Sequence, residues 1–290
     1  MRHSHIISSS HLFPSSSNCP EQSIDDKRFL QYKCDDTSAS HSFKHCSWDN
    51  NGLTSNGGAI HIAFSSSHSS ISLTVDGCIF LHCHETNSNG AGAVYARHIG
   101  IATVENSLCY DCECAYNPDY PEGGGLNLNS IHTYPLIKSC SFVSCVSGDD
   151  AGGCGIWYSY SSITYAVDSC HCVKCEGIKQ QDGEGGGIIF YENKNFVTCT
   201  NCLLYTCKAP LNAGGVCIYR LSSTTVLPIK FCFFRDNKSN GVRDVKLYHF
   251  STSPQAITNS YSYESESGKV GGGSDNWLPQ ANTNSMVTGA

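Results

Sequence analysis

Charge and long apolar runs are both scarce in this chain. Only 15% of its 290 residues are charged, and the formal net charge is −7. The 18 Lys and Arg residues are scattered without a run or stripe, which argues against a nucleic-acid partner. No run of about 18 apolar residues occurs, so no membrane-spanning helix is expected. The first residues lack the apolar core of a signal peptide, and no cellular location is predicted.

Amphipathic helices are also missing between Phe43 and Phe250. What recurs there is a cysteine pair of the form C-x4-C, at a period of about 31 residues, which is typical of a solenoid whose repeats bury their apolar faces against one another. The pairs are Cys78/Cys83, Cys109/Cys114, Cys140/Cys145, Cys170/Cys175, Cys202/Cys207 and, as a variant, Cys232 with Asn237.

A second block recurs between the cysteine pairs and consists of a small residue, glycine, a small residue and an apolar residue. The apolar positions are Ile60, Val94, Leu126, Ile156, Ile188 and Val216. Each is followed two positions on by a residue that is apolar in every block, and this spacing predicts a short strand. The glycines before it are expected to allow a bend or a close backbone approach.

Two further strands are predicted in each repeat. One precedes the cysteine pair and contains apolar residues two apart, such as Tyr165 and Val167. The other follows the first cysteine and places a large apolar residue two positions after it, as at Phe80, Phe142, Leu204 and Phe234. The sequence therefore predicts an all-β solenoid of about seven coils with three short strands per coil.

The repeats resemble those of polymorphic outer-membrane proteins, over residues 43 to 250. Gly57-Gly58-Ala59-Ile60 reproduces the GGAI motif of that family, and Phe234-Arg235-Asp236-Asn237 reproduces its FxxN motif. Elsewhere cysteine stands in place of the asparagine, in segments that begin at Phe43, Phe80 and Phe142. The resemblance implies a right-handed parallel β-helix of pectin-lyase type, in a cysteine-rich form.

The 19 cysteines allow three interpretations. Equivalent cysteines of an in-register solenoid lie about 4.8 Å apart, within the Cα range of a disulfide, but their Cβ vectors run nearly parallel. A buried ladder of free thiols is therefore favoured over disulfides between coils. Three C-x2-C pairs each resemble half of a zinc site, namely Cys109/Cys112, Cys172/Cys175 and Cys199/Cys202.

The repeat accounts for those C-x2-C pairs without a metal. Cys175 and Cys202 belong to the regular columns, Cys172 takes the place of a large apolar residue, and Cys199 takes an apolar position in the preceding strand. A thiol that fills a core position needs no ion. No metal and no cofactor are therefore predicted.

Alternation along the glycine-led strands predicts an exposed, partly aromatic stripe. Its candidate binding residues are Tyr95, Asn127, Trp157, Tyr191 and Tyr219. Flat rings on a rigid sheet suit the face of a sugar or a protein partner. The favoured function is therefore a non-catalytic scaffold that binds a glycan or a protein.

A polysaccharide lyase or hydrolase is the alternative function, because that chemistry needs clustered carboxylates. The candidate acids lie in the bends before the glycine-led strands, at Glu122, Asp149, Asp150, Asp182 and Glu184. Acidic residues are also common in solvated glycine-rich turns, so no catalytic residue is assigned.

The two ends differ in composition from the middle. Residues 1–28 are rich in Ser and His, and residues 263–290 form a polar Gly/Ser/Asn tail. Both segments are expected to be poorly ordered, and residues 29–262 are expected to form the solenoid.

Overall fold

A computed structural model describes most of the repeat region and several short segments outside it. The described residues are 22–25, 28–29, 32–34, 40–49, 58–85, 90–115, 123–148, 152–159, 165–178, 185–193, 197–211, 213–218, 229–240, 244–247, 257–258, 260–262, 270–272 and 286–288. Within these ranges the regular structure is entirely strand, and no helix long and apolar enough to cross a membrane occurs.

The strands are short, apart from two. In chain order they are β1 (Gln22–Asp25), β2 (Arg28–Phe29), β3 (Tyr32–Cys34), β4 (His41–Lys44), β5 (Ser47–Asp49), β6 (Ile60–Asp76), β7 (Ile79–Leu81), β8 (His84–Glu85), β9 (Val94–Glu105), β10 (Leu108–Tyr110), β11 (Glu113–Cys114), β12 (Leu126–Asn129), β13 (Tyr134–Lys138), β14 (Ser141–Val143), β15 (Val146–Ser147), β16 (Cys154–Ser159), β17 (Tyr165–Asp168), β18 (His171–Val173), β19 (Glu176–Gly177), β20 (Ile188–Asn193), β21 (Val197–Thr200), β22 (Leu203–Tyr205), β23 (Val216–Ile218), β24 (Ile229–Lys230), β25 (Phe233–Arg235), β26 (Val245–Leu247), β27 (Ile257–Thr258), β28 (Ser260–Ser262), β29 (Val270–Gly272) and β30 (Met286–Thr288).

The strands pair in parallel and form sheets of sixteen, ten and four strands. The ten-stranded middle sheet has the order β2-β5-β7-β10-β14-β18-β22-β25-β28-β30, and the four-stranded sheet has the order β8-β11-β15-β19. Neighbours in each sheet are equivalent strands of successive repeats, so the chain is a parallel β-solenoid and not a barrel. About four turns have a strand in all three sheets.

The sixteen-stranded sheet combines two of the predicted strand columns. The glycine-led strands stack from β12 to β29, and the strands before the cysteine pairs stack from β13 to β27. The long strands β6 and β9 run without a break through both columns and join them. The register confirms the predicted equivalences, because Val94 pairs with Leu126 and Val167 pairs with Cys199.

Two features of the predicted coil were wrong. The small four-stranded sheet was missed, because its strands are two residues long and too short to show a periodicity. In the glycine-led column, Cys154 rather than Ile156 pairs with Leu126 and Ile188. This shift of two residues leaves every side chain on its predicted face of the strand.

Left-handed residues form the two corners that flank the middle sheet. The first corner contains His45, Gly77, Asn106, Ser139, Ser169, Asn201 and Phe231, and the second contains His82, Asp111, Ser144, Lys174, Thr206 and Asp236, all with φ between 49° and 62°. Hydrogen bonding between coils continues through both corners. For example, the His82 N–H donates to the Tyr110 carbonyl at 3.0 Å.

Close backbone approach explains the glycines that precede the glycine-led strands. A Cβ atom on Gly92 would lie 2.3 Å from the Gly124 carbonyl oxygen, and one on Gly124 would lie 2.3 Å from the Gly152 carbonyl oxygen. Backbone atoms of the next coil cannot move aside as a flexible side chain can, so only glycine fits.

Side chains of the middle sheet fill the interior of the rod. Trp48, Phe80, Phe142 and Phe234 are fully buried, and the Trp48 and Phe80 rings stack with centroids 4.7 Å apart. This distance equals the spacing between neighbouring strands, so the rings stack in step with the backbone ladder.

Some described strands lie inside the terminal segments that were expected to be poorly ordered. They are β1 near the N-terminus and β29 and β30 near the C-terminus. The other residues of those segments lie largely outside the described ranges. The proposed domain boundaries therefore stay predictions.

Candidate functional site

Cysteines line the first corner in what we call the first cysteine column. Its members are Cys46, Cys78, Ser107, Cys140, Cys170, Cys202, Cys232 and Ser260, as the strand register shows. The thiols donate hydrogen bonds to the carbonyl two residues earlier, for example from Cys202 to Thr200 at 3.1 Å. Serine takes part in the same ladder, because the Ser107 hydroxyl donates to the Glu105 carbonyl at 2.6 Å.

The second cysteine column lies at the second corner. It consists of Cys83, Cys112, Cys145, Cys175, Cys207 and Asn237, and the backbone hydrogen bonds join these rungs in that order. The Cys175 thiol donates to the Phe142 carbonyl of the preceding coil at 3.3 Å, and the Asn237 amide donates to the equivalent Leu204 carbonyl at 3.1 Å. Cysteine and asparagine at these positions therefore donate the same hydrogen bond, to a carbonyl group of the preceding coil.

The predicted assignment of residues to repeat positions was wrong in two repeats. Cys109 was predicted in the first column, but it pairs with Phe80 and Phe142 inside the rod, while Ser107 and Cys112 occupy the two columns. Cys114 lies in β11 of the small sheet. Likewise Phe43 pairs with Val75, which puts Cys46 in the first column and not at the FxxN position.

Burial of the cysteines is confirmed. All seventeen cysteines whose side chains are described are buried. Burial raises the pKa of the Cys78 thiol to about 12 and also raises the pKa of Cys154 well above its ordinary value. Thiols of this kind are poor nucleophiles at neutral pH.

Three thiols converge at one place in the described part of the chain. The sulfur atoms of Cys199, Cys202 and Cys232 all lie within 4.8 Å of one another. Hydrogen bonding among the three thiols lowers the pKa of Cys232 and raises the pKa values of Cys199 and Cys202. The equivalences predicted for Cys199 and Cys202 are confirmed by the register.

Two residues of the predicted stripe on the glycine-led strands are buried, contrary to the expected exposure. Tyr95 and Asn127 are only 5% and 1% exposed, and the Asn127 amide donates to the Gly90 carbonyl at 3.0 Å. Side chains on both faces are buried along β12 and at the start of β9, which alternation along one strand cannot predict. Tyr191 is half-buried, the side chain of Trp157 is outside the description, and Tyr219 lies outside the described residues.

The outer face of the middle sheet is partly exposed, and we call it the outer strip. Its two rows are Ser47, Ile79, Leu108, Ser141, His171, Leu203 and Phe233, and Asp49, Leu81, Tyr110, Val143, Val173, Tyr205 and Arg235. Ile79, Tyr110 and Phe233 are 42%, 43% and 37% exposed. Seven rungs span about 29 Å at the usual strand spacing.

The chain matches no known family model, no curated protein and no solved structure. The resemblance to outer-membrane repeats thus rests on the motifs alone.

Opposite charges occupy the two ends of the outer strip. Asp49 lies in the first rung, and its Oδ1 atom is 3.3 Å from Nδ1 of His82. Arg235 lies in the seventh rung, pairs with Asp236 at 3.3 Å and lies over the Tyr205 ring at 5.6 Å. Both charged side chains keep about a third or more of their surface exposed. The rungs between them carry no carboxylate, lysine or arginine.

Sequence reasoning missed the outer strip because it followed only the inward residue of each middle strand. The strip residues stand one and three positions after each of the seven column members from Cys46 to Cys232. The signal that locates them is the alternation of buried and outward side chains along each middle strand, because a strip residue stands on each side of the buried residue.

The candidate acids of the enzyme alternative, Glu122, Asp149, Asp150, Asp182 and Glu184, lie outside the described residues. His171 lies between two cysteines in the sequence, but the three side chains cannot form a Cys/His dyad. His171 is exposed, whereas Cys170 and Cys172 on either side of it are buried.

Proposed function

We propose that this protein is a non-catalytic β-solenoid scaffold that binds protein through the outer strip, and that a second copy of this chain is such a partner. The supporting observation is the composition of the strip: its half-buried and exposed members are mostly Ile, Leu, Val, Tyr and Phe. Exposed apolar patches of this kind are typical of interaction surfaces.

A protein suits this surface better than a glycan does. Sugar recognition needs hydrogen-bonding side chains beside the rings. Polar or charged side chains are the minority in the strip, namely Ser47, Asp49, Ser141, His171 and Arg235, and the two tyrosines add hydroxyl groups. Branched aliphatic side chains dominate the middle rungs. They pack well against another sheet at the usual separation of about 10 Å.

The charges support a second copy turned end for end. A two-fold axis parallel to the strands through the rung of Val143 places Arg235 of one copy opposite Asp49 of the other. The same axis brings the two Val143 side chains together. Such a self-complementary arrangement closes after two copies.

We also propose that the solenoid is a right-handed β-helix of pectin-lyase type with about seven coils, as the motifs imply. Seven successive rungs from Trp48 to Phe234 support the number of coils. The general preference of parallel β connections for a right-handed crossover supports the hand.

Sedimentation of the full chain tests the function. We expect a concentration-dependent dimer in the wild type and a monomer in Val143→Glu, because two carboxylates would meet at the axis. Arg235→Asp should weaken the dimer, and the double swap Asp49→Arg with Arg235→Asp should restore it. Ile178→Glu is the matched control, since Ile178 is 46% exposed and lies outside the strip.

A wild type that stays monomeric at every soluble concentration contradicts the second copy as partner. Binding to a panel of polysaccharides, lost in Tyr110→Ala, would assign the strip to glycans and overturn the protein proposal. Circular dichroism of each variant confirms that the fold is intact.

A further inference from the structure

The convergence of Cys199, Cys202 and Cys232 arises from one substitution in the repeat. Cys202 and Cys232 are consecutive members of the first cysteine column. Cys199 stands in β21, at the position that Val167 occupies in the preceding coil and Ile229 in the next. A third sulfur therefore lies beside two that the column already supplies.

The spacing of the sulfur atoms suits a shared metal ion. Three sulfurs around an ion at about 2.3 Å lie about 4.0 Å apart. The sulfur atoms of Cys199 and Cys232 are already 3.9 Å apart, and all three pairs are within 4.8 Å. Only small side-chain movements would close the remaining gap.

The surroundings of the cluster select a soft ion. The three side chains are 1%, 2% and 1% exposed, so water is largely excluded. Among the described residues, no fourth His, Cys, Asp or Glu ligand atom joins the group. Zinc in structural sites takes four ligands, whereas Cu(I) prefers thiolates and accepts three.

We propose that Cys199, Cys202 and Cys232 form a three-thiolate binding site for Cu(I). The ion replaces S–H protons, which leave to solvent, and no electron is transferred because copper enters already reduced. Asn201 and Phe231, the residues directly before Cys202 and Cys232, are exposed, so solvent reaches the first corner beside the cluster.

Loss of the S–H donors leaves the corner backbone satisfied. The Cys202 and Cys232 thiols donate to the carbonyls of Thr200 and Lys230. Those carbonyls also accept the N–H groups of Ser169 and Asn201, at 2.9 and 3.0 Å. Metal binding therefore leaves neither carbonyl without a donor.

The C-x2-C spacing does not by itself define the site. Cys109/Cys112 and Cys172/Cys175 have the same spacing, yet neither belongs to a described group of three ligand atoms within the same distance limit. In those pairs the extra cysteine stands inside the rod beside the second column.

Anaerobic titration of the reduced, folded full chain with Cu(I) tests the site, with bicinchoninate as the competing chelator. We expect one tight equivalent per chain, and X-ray absorption should show three sulfur neighbours. Cys202→Ser and Cys232→Ser introduce the residue that the column itself uses at Ser107 and Ser260. Cys199→Val introduces the residue of the preceding coil.

Each of these three variants should bind Cu(I) more than about tenfold more weakly. The control Cys78→Ser makes the same change in the same column away from the cluster and should keep the tight equivalent. Cu(I) should also raise the unfolding temperature of the wild type and of Cys78→Ser, but not of the three variants.

Absence of a tight equivalent in the wild type would overturn the proposal, as would an equal loss in Cys78→Ser. Retention of zinc with four ligands would overturn the choice of Cu(I). Circular dichroism of the apo forms separates loss of the site from loss of the fold.

Discussion

Asn237 provides a sharp test of the idea that side chains of the second cysteine column complete the corner hydrogen bonds. It is fully buried and makes three such bonds. Its amide donates to the Leu204 carbonyl at 3.1 Å and to the Asp244 carboxylate at 3.0 Å, and its oxygen accepts the Cys207 N–H at 3.0 Å.

Three substitutions at Asn237 should destabilise the protein to different degrees. Alanine removes all three bonds and should lower the free energy of unfolding by about 2–4 kcal/mol. Cysteine, the usual residue of the column, keeps a donor toward Leu204 and should cost about 1–2 kcal/mol. Aspartate should cost most at neutral pH, because it cannot donate and faces the buried Asp244 carboxylate.

Denaturant unfolding followed by circular dichroism measures these differences, and Lys238→Ala is the matched control because Lys238 is exposed. Coils of a solenoid contact only their neighbours, so hydrogen exchange is followed as well, with the loss of protection expected around Cys207. A change of less than about 0.5 kcal/mol in Asn237→Ala would refute the reasoning. Equal costs for cysteine and aspartate would do the same.

Three other predictions follow from the described contacts. Gly124→Ala should prevent stable folding, because its Cβ atom would lie 2.3 Å from the Gly152 carbonyl oxygen; soluble yield and the unfolding midpoint measure this, and a wild-type midpoint would contradict it. Burial lowers the pKa of His98 and of His132 below the ordinary 6.5, so the folded state favours the neutral rings. The free energy of unfolding should therefore be highest above pH 6.5 and decrease as the pH falls below it. His132→Phe should flatten this fall in thermal unfolding, and an unchanged slope would exclude the explanation. Alkylation with mass spectrometry should label the seventeen described cysteines only after denaturation, and rapid labelling of the native chain would show that they are accessible.

The strand columns were predictable because each leaves a period in the sequence. The cysteine pairs, the glycine-led block and the apolar pair before the cysteines all recur, and the register places their members side by side. The corners also left a signal that was not used. Asn106 and Asp111 tolerate left-handed backbone, and each stands directly before a column residue, Ser107 or Cys112. Reading those two corners would have corrected the alignment of Cys109.

Burial of Tyr95 and Asn127 could not be derived from the alternation along one strand. Alternation states which face of the sheet a side chain is on, but not whether another part of the chain covers that face. Tyr95 and Asn127 show the difference, since both are buried on strands whose two faces are covered. The outer strip has the same alternation and remains exposed at Tyr110. Whether a face of the sheet is covered depends on residues far away in the sequence, and the repeat pattern does not indicate it.

The geometry of the first cysteine column also predicts where a second three-thiol site can be built. Ile137 occupies the position of Cys199 relative to two column thiols, Cys140 and Cys170. Ile137→Cys should therefore add one tight Cu(I) equivalent to the folded chain. Val104 occupies the same position two coils before Val167, but its column neighbours are Ser107 and Cys140. Val104→Cys thus supplies only two sulfurs and should add none. Competition with bicinchoninate measures both, and equal uptake by the two variants would show that buried cysteine content, rather than position in the column, determines copper binding.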